Sequence, residues 1–378
     1  MPAIYLDYNS TTPLDPLVLE VMLPWFTERY GNAASKTHSF GWEAEAAVKI
    51  AREQVASLIG AYQEEIIFTS GSTEAINLGL KGVAERYSSR GKHIITAATE
   101  HKAVLDTCNF LESHGNEITV LDVNRDGIVN PGDLRKALRA DTVLVCIMVA
   151  NNETGAIQPV RELAEITHSA GSLFMTDATQ AVGKIPVDVN TDGIDILCMS
   201  AHKMYGPKGT GSIFIRRKNP RVTLSPQIHG GGHESGYRSG TLNVPGIVGF
   251  GKACEIARTN LAEFAKRMSA MRDRLEKELI RDCGAIVNGG NAIRLPNTSN
   301  IRFAGIEADS LIMKVRGIAV STGSACTSAV MQPSHVLRSM GLSDAEAYSS
   351  VRFSLGRTTT DEEITGTLRQ LMAQMTNQ

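Results

Sequence analysis

Two chemically reactive side chains stand at the ends of predicted buried strands. Lys203 comes shortly after the apolar run 194–199, and Asp177 ends the run 173–176. Short apolar runs of this kind predict buried strands, so the amine and the carboxylate both stand at strand ends. A lysine amine condenses with aldehydes, and burial lowers its pKa enough for it to act as a base. A lone lysine at a strand end is usually a surface residue, and the second strand end with its carboxylate changes that interpretation.

An amine and a carboxylate at neighbouring strand ends are what a pyridoxal phosphate site requires. The lysine binds the aldehyde of the cofactor, and the carboxylate binds its pyridine nitrogen. A small polar turn, 69–73, separates the predicted strand 66–68 from the predicted helix 74–85. A strand, turn and helix in this order can point N–H groups and hydroxyls at a phosphate, although an ordinary capped turn explains the same residues.

A single cysteine, Cys326, stands in a run of small residues, 321–329, with no apolar periodicity. This composition predicts a loop in which the thiol is accessible. At an ordinary pKa of about 8.5, only several per cent of such a thiol is ionised at pH 7, and a cationic partner or a bound cofactor could raise that share. The other five cysteines lie in apolar patterns, as small core residues do. The scattered spacing, without a CxxC pair, argues against a disulfide framework and a zinc site.

Strands and helices alternate from residue 66 to residue 200, which predicts a doubly wound, mostly parallel sheet in an α/β fold. Ligands bind such sheets at the carboxyl ends of the strands. Six candidate residues lie at such ends or just beyond them: Thr73, His101, Asn152, Asp177, Gln180 and Lys203. This convergence is the strongest argument from the residues themselves.

A long helical pattern, 244–281, separates this region from a second set of strands and helices. We therefore predict a large domain at 14–261 and a smaller α+β domain formed by 1–13 and 262–378. The smaller domain carries the cysteine loop, at about 321–333. Near the amino terminus, residues 15–30 also carry a helical pattern.

Two spacings suggest metal ions, and both have simpler explanations. Residues 122–133 match most of the ligand spacing of an EF-hand, but a predicted strand precedes them where a helix is required. His229 and His233 flank a glycine run that cannot hold two imidazoles in place, and no third ligand is nearby.

Composition excludes several classes of protein. The 378 residues carry 38 Lys and Arg against 40 Asp and Glu, so there is no basic field for binding nucleic acid. No uncharged apolar run approaches the roughly 18 residues of a membrane-spanning helix, and the first residues do not resemble a signal peptide. We expect a soluble, cytoplasmic protein.

The chain resembles the cysteine desulfurases of the NifS/IscS type, class V aminotransferase-like enzymes of pyridoxal phosphate fold type I. The resemblance rests on nine stretches that follow the family order over almost the full length. They are Tyr5–Pro13, Phe68–Glu74, Thr99–Val104, Asn151–Gly155, Thr176–Lys184, Ser200–Lys203, Arg238–Thr241, Gly323–Cys326 and Arg352–Arg357.

The resemblance implies a role for each candidate at the cofactor ring. Lys203 would hold pyridoxal phosphate and move the substrate proton, and Asp177 would pair with the pyridine nitrogen. His101 would stack on the ring, Gln180 would reach the ring hydroxyl, and Asn152 would lie nearby and also contact the substrate. A further group would bind the phosphate: Ser72, Thr73, Ser200 and His202, with Thr241 supplied by the other subunit of a homodimer.

The resemblance also implies the reaction and its partners. Arg352 would bind the carboxylate of L-cysteine, and Cys326 would accept the sulfur as a persulfide, leaving L-alanine. The sulfur would pass to an iron–sulfur scaffold protein, to tRNA thiolation, or to both, and Cys326 also stays open as a ligand of an iron–sulfur cluster. Three alternatives remain: an aminotransferase for a small amino acid, a selenocysteine lyase, and a non-catalytic assembly platform.

Overall fold

The computed structural model describes residues 3–315, 317–322 and 332–375. Its strands are, in chain order, β1 (Ile4–Tyr5), β2 (Ile66–Thr69), β3 (His93–Ala97), β4 (Glu117–Leu121), β5 (Thr142–Cys146), β6 (Leu173–Asp177), β7 (Ile196–Ser200), β8 (Gly211–Ile215), β9 (Ile286–Val287), β10 (Thr298–Arg302), β11 (Ile318–Ala319) and β12 (Ser350–Ser354). Its α-helices are α1 (Pro16–Met22), α2 (Pro24–Thr27), α3 (Ser39–Leu58), α4 (Ser72–Arg86), α5 (Lys102–Ser113), α6 (Pro131–Ala137), α7 (Val160–Ser169), α8 (Val244–Cys283), α9 (Ala308–Lys314), α10 (His335–Ser339), α11 (Asp344–Tyr348) and α12 (Asp361–Met375).

Seven strands form the main sheet in the order β2-β8-β7-β6-β5-β3-β4. Strand β8 is antiparallel to both of its neighbours, and the other neighbouring pairs are parallel. The predicted mostly parallel sheet is therefore confirmed. Because β3, β5, β6 and β7 share one direction, the residues that follow them meet at one edge of the sheet.

Helices cover both faces of this sheet, and neighbouring residues of β6 show how. Phe174 packs in one core cluster with Leu163 of α7, whereas Met175 packs in another with Ile76 of α4. Successive side chains of a strand point to opposite faces, so an unbroken apolar run needs a cover on each side. This explains why the central strands are apolar throughout.

A second unit contains a three-stranded antiparallel sheet in the order β12-β10-β9 and the parallel pair β1 and β11. Leu6, Leu275 and Phe353 belong to its core cluster. Helix α8 is continuous from Val244 to Cys283 and contributes Phe250 to the core of the main sheet as well. The predicted boundary at 261/262 falls inside this helix, and the division into domains stays a prediction.

The sequence pattern and the structure differ at the predicted helix 15–30. The chain forms α1 and α2 instead, and α2 begins at Pro24. Proline has no backbone N–H to donate to the preceding turn, so it cannot continue the hydrogen-bond ladder of α1. Within the part of the chain that the structure describes, no helix has both the length and the apolar character needed to cross a membrane.

Candidate active site

A cavity of about 360 Å³ opens at the carboxyl ends of the main-sheet strands. Lys203 and Asp177 both line it, and Arg352 of β12 lines it from the second unit. The amine and the carboxylate therefore face one space, which is the arrangement that the sequence predicts. His101, Asn152 and Gln180 also line this cavity, as do Ser72, Thr73 and His202.

Lys203 ends a short 3₁₀ turn, Ala201–Lys203, directly after β7. Its Nζ donates hydrogen bonds to the backbone oxygens of Asn9 (2.6 Å) and Ser10 (2.7 Å). The amino-terminal segment thus supplies two acceptors to the candidate catalytic amine. Asn9 is 1% exposed, whereas Lys203 is only partly buried.

Asp177 is the last residue of β6, and its side chain is buried against the cavity. One carboxylate oxygen, Oδ1, accepts a hydrogen bond from the backbone N–H of Thr179 (2.9 Å), which fixes the orientation of the carboxylate. Thr179 also lines the cavity. Its hydroxyl is buried and has no hydrogen-bond partner among the described residues.

His101 precedes α5 and caps it, because its Nδ1 accepts a hydrogen bond from the backbone N–H of Ala103 (3.1 Å). An accepting Nδ1 carries no proton, so the neutral ring has its proton on Nε2. Burial lowers the pKa of His101, the charges of Lys203 and His335 lower it further, and the charge of Asp177 opposes them. A neutral imidazole is therefore favoured at the cavity wall at neutral pH.

A second depression, of about 480 Å³, is lined by Ser72, Thr73, Ser200 and His202. Helix α4 begins here after Gly71, and no side chain caps it, so its amino end can receive an anion. Burial and the charges of Lys203, Lys208 and Lys184 lower the pKa of His202 to about 4. His202 therefore offers a hydrogen bond rather than a charge at neutral pH.

Arg352 is 4% exposed, and its side chain is held by three neighbours. It donates to the backbone oxygen of Asn152 (3.0 Å), to Oδ1 of Asp7 (2.8 Å) and to the hydroxyl of Ser10 (2.7 Å). Its Nε is buried and has no hydrogen-bond partner among the described residues. A planar guanidinium fixed at a cavity wall suits a carboxylate ligand.

One predicted site residue, Thr241, lies away from both depressions, and another, Cys326, cannot be placed. Thr241 is exposed just before α8, and it does not line either depression. Its predicted contact across a subunit interface stays a prediction. Cys326 lies outside the described residues, and so do Gly323, Ser324 and Ala325.

The predictions from sequence missed the residues that join the segment after Cys326 to the cavity wall. Ser334 donates a hydrogen bond to Oε2 of Glu153 (2.5 Å) and also caps α10. The next residue, His335, donates from Nε2 to the backbone oxygen of Glu100 (3.0 Å). Glu153 and His335 both line the cavity. Only the helix start at Ser334 leaves a signal in the sequence, because a serine often precedes a helix.

Glu100 is fully buried beside this wall, and its Oε1 accepts a hydrogen bond from the backbone N–H of Met148 (2.7 Å). Its Oε2 has no hydrogen-bond partner among the described residues. Burial raises the pKa of Glu100 well above its ordinary value, and the charge of Asp177 raises it further. The folded protein therefore favours the protonated acid at this position.

We expect Glu100→Gln to flatten the dependence of folding stability on pH. A raised folded-state pKa means that the folded protein keeps a proton that the unfolded chain releases above about pH 4.3, so stability falls as pH rises from there. Each unit by which that pKa is raised corresponds to about 1.4 kcal/mol. The free energy of urea unfolding, measured at pH 5 and pH 8, should fall less in the variant than in the wild type. The exposed Glu85→Gln should leave the difference unchanged, and an equal fall in Glu100→Gln would contradict the expectation.

Known proteins with similar sequences and structures agree with the geometry of this site. The pattern of the Aminotransferase class-V family matches residues 4–366. The cysteine desulfurase IscS of Anaeromyxobacter sp. (strain Fw109-5) is 56% identical over 369 residues, which is 97% of this chain and 91% of that protein. The IscS of Pectobacterium carotovorum subsp. carotovorum (strain PC1) is 51% identical, with the same coverage. A solved NifS-like protein superimposes with a TM-score of 0.93 at 40% identity, covering all of both chains. The chain therefore belongs to the aminotransferase class-V family, and within it to the cysteine desulfurases of the NifS/IscS type.

Proposed function

We propose that this protein removes sulfur from L-cysteine with pyridoxal phosphate as cofactor, giving L-alanine and a persulfide on Cys326. The observation that carries the proposal is that Lys203 and Asp177 face one cavity. Relatives more than half identical in sequence bear the name cysteine desulfurase, which supports the reaction. In the terms of enzyme classes, the protein is a sulfurtransferase.

The residues of the cavity fit pyridoxal phosphate. The hydroxyl of Thr179 is a buried polar atom without a partner among the described residues, and a ligand with several acceptor atoms could satisfy it. The uncapped start of α4, with Ser72, Thr73, Ser200 and His202, suits the phosphate. Asp177 suits the ring nitrogen and Lys203 the aldehyde. When bound, the cofactor supplies an electron sink for charge that develops on the substrate.

The protein's own groups would bind and orient the substrate and move its proton. Arg352 binds the substrate carboxylate, and to do so it gives up part of its contact with Asp7 or Ser10. The Nζ of Lys203 would remove the α-proton of the bound substrate. His101 and Gln180 would hold the cofactor ring, and Asn152 would contact the substrate.

Transfer of the sulfur to Cys326 requires only the protein, its substrate and a proton. The thiolate of Cys326 attacks the sulfur of the substrate, so a sulfur–sulfur bond forms while the carbon–sulfur bond breaks. The electron pair of the broken bond stays with the substrate carbon, which takes up a proton and leaves as L-alanine. The persulfide then passes its outer sulfur to an acceptor thiol.

The expected partners follow from this chemistry. The protein would form a homodimer in which Thr241 of the partner subunit contacts the phosphate. An iron–sulfur scaffold protein would accept the sulfur, and the sulfur would also serve tRNA thiolation. A cytoplasmic location is proposed as well, because free thiols and persulfides persist in a reducing compartment. Among the described residues, no group of three metal-ligating side chains comes together. Cys326 lies outside those residues, so its role as a ligand of an iron–sulfur cluster stays a prediction.

Turnover of L-cysteine by the cofactor-loaded wild-type protein tests the function. With a thiol reductant, we expect alanine and sulfide to form in equal amounts, because each transferred sulfur leaves one alanine. Alanine and sulfide are measured in the same samples, with and without a keto acid. An aminotransferase would instead consume the keto acid and release no sulfide, and a selenocysteine lyase would act on selenocysteine and leave cysteine intact. Either result, or colourless protein that retains no cofactor, would contradict the proposal.

A further inference from the structure

A second lysine, Lys184, lies buried behind the candidate catalytic residues and is only 7% exposed. It does not line the cavity itself. Its Nζ donates hydrogen bonds to Oε1 of Gln180 (2.6 Å) and to Oδ1 of Asn9 (3.1 Å). Burial of a lysine is costly unless its amine is well bonded, so a lysine at this position calls for an explanation.

The contacts of Gln180 fix which way its amide points. Its nitrogen lies 2.9 Å from the backbone oxygen of Asn9, and a backbone oxygen can only accept a hydrogen bond. The amide oxygen must then face Lys184. The amide NH₂ is consequently on the side of Asn9, and its second hydrogen remains for a partner in the cavity that Gln180 lines. Lys184 thus stabilises Gln180 as a hydrogen-bond donor.

Asn9 connects Lys184 to the candidate catalytic amine. The backbone oxygen of Asn9 accepts from both Lys203 (2.6 Å) and Gln180 (2.9 Å), while its side-chain oxygen accepts from Lys184 and from Asn297 (3.0 Å). The group that receives the Lys203 amine therefore belongs to a residue whose side chain Lys184 holds. A change at Lys184 reaches Lys203 through one residue.

The charges around Lys184 are of one sign. Burial lowers the pKa of Lys184 well below its ordinary value, and the charges of Lys203 and Arg352 lower it further. The hydrogen bonds that Lys184 makes to Gln180 and Asn9 go to amide oxygens and not to carboxylates. Any positive charge on Lys184 opposes a second positive charge on Lys203 and favours an anionic oxygen in the cavity.

We propose that Lys184 is a positioning residue that fixes Gln180 as a donor to the ring oxygen of the cofactor and sets the proton affinity at Lys203 through Asn9. The inference rests on the proposed cofactor site and assigns a role to a residue outside the cavity. Lys184 does not line the cavity, so it would act on the bound cofactor only through Gln180 and Asn9. We therefore expect its effect in the absorption of the bound cofactor.

The test is the pH titration of the visible absorption band of the bound cofactor in Lys184→Met, a variant of similar length without a donor. We expect the midpoint to rise by about one pH unit, a tenfold change in proton affinity, because the hydrogen bond that Gln180 would donate to the ring oxygen disfavours a proton at the Nζ of Lys203. The circular dichroism of the same band should weaken, because the ring loses a fixed contact. Lys184→Gln, which keeps a donor, should restore part of both signals.

The double variant Lys184→Met/Gln180→Leu separates a positioning role from a general loss of packing. Because part of the effect of Lys184 runs through Gln180, the double variant should change both signals by less than the sum of the two single variants. A midpoint and dichroism equal to those of the wild type in Lys184→Met would overturn the inference, as would fully additive effects. If Lys184→Met does not fold, two other results would overturn the inference. One is wild-type signals in Lys184→Leu, and the other is additive effects of Lys184→Gln and Gln180→Leu. These readouts need no cysteine turnover, so failure of the desulfurase proposal would be recognised separately, by the absence of sulfide from the wild type.

Discussion

Replacing Lys203 with alanine is expected to lower cysteine turnover by at least about a thousandfold, since a positioned acid–base group alone contributes roughly 10² to 10⁴-fold and this lysine also binds the cofactor. Lys203 is held at the cavity wall by the backbone oxygens of Asn9 and Ser10, so its amine is positioned for both roles. The rate of alanine formation from L-cysteine measures the loss. Reduction with borohydride followed by peptide mass spectrometry should place the cofactor on Lys203 in the wild type.

Two comparisons make this result specific. Lys203→Arg keeps a positive charge but cannot condense with an aldehyde under these conditions, so it should be as inactive as Lys203→Ala. Lys277→Ala removes an exposed lysine of α8 and should leave the rate unchanged. Labelling of another lysine, or a rate in Lys203→Ala within tenfold of the wild type, would rule out the assigned role.

Replacing Cys326 with serine is expected to abolish sulfide formation while the yellow cofactor stays bound. A serine hydroxyl is hardly ionised at neutral pH and cannot take up sulfur, whereas the site of Lys203 and Asp177 does not need the thiol. Sulfide release and the mass of the intact protein after exposure to L-cysteine measure the effect. The wild type should gain the mass of one sulfur atom, and the variant should not.

The chain offers a matched control in Cys283, a half-buried thiol at the end of α8. Burial raises the pKa of Cys283, and the charge of Asp282 raises it further, so its thiolate share is small. Cys283→Ser should therefore keep full activity. Normal sulfide formation by Cys326→Ser, or its loss in Cys283→Ser, would show that the acceptor thiol has been misassigned.

The sequence predicts the sheet and its active edge because both depend on local patterns. The apolar runs before Asp177 and Lys203 must be covered on both faces, and parallel strands bring their carboxyl ends together. The break at Pro24 was missed, although it depends on a single residue, because apolar spacing continues across it. Residue type could have located that break.

The supporting contacts could not be predicted, because they join positions that are far apart in sequence. Asn9 meets Gln180 and Lys203 from 171 and 194 residues away. The burial of Glu100 and Lys184 is equally invisible in the sequence, since charged residues beside a strand end usually face solvent. Only the assembled fold shows that these groups are enclosed.

The two acceptors that hold the Lys203 amine are peptide carbonyl oxygens, which every amino acid possesses. A mutational scan of positions 9 and 10 would therefore report on the side chains, which accept hydrogen bonds from Lys184 and Arg352, and not on these carbonyl oxygens. Such a scan would leave the dependence of the Lys203 amine on the amino-terminal backbone unmeasured. Backbone ester substitution, unlike exchange of side chains, would test how much Lys203 depends on these carbonyl oxygens.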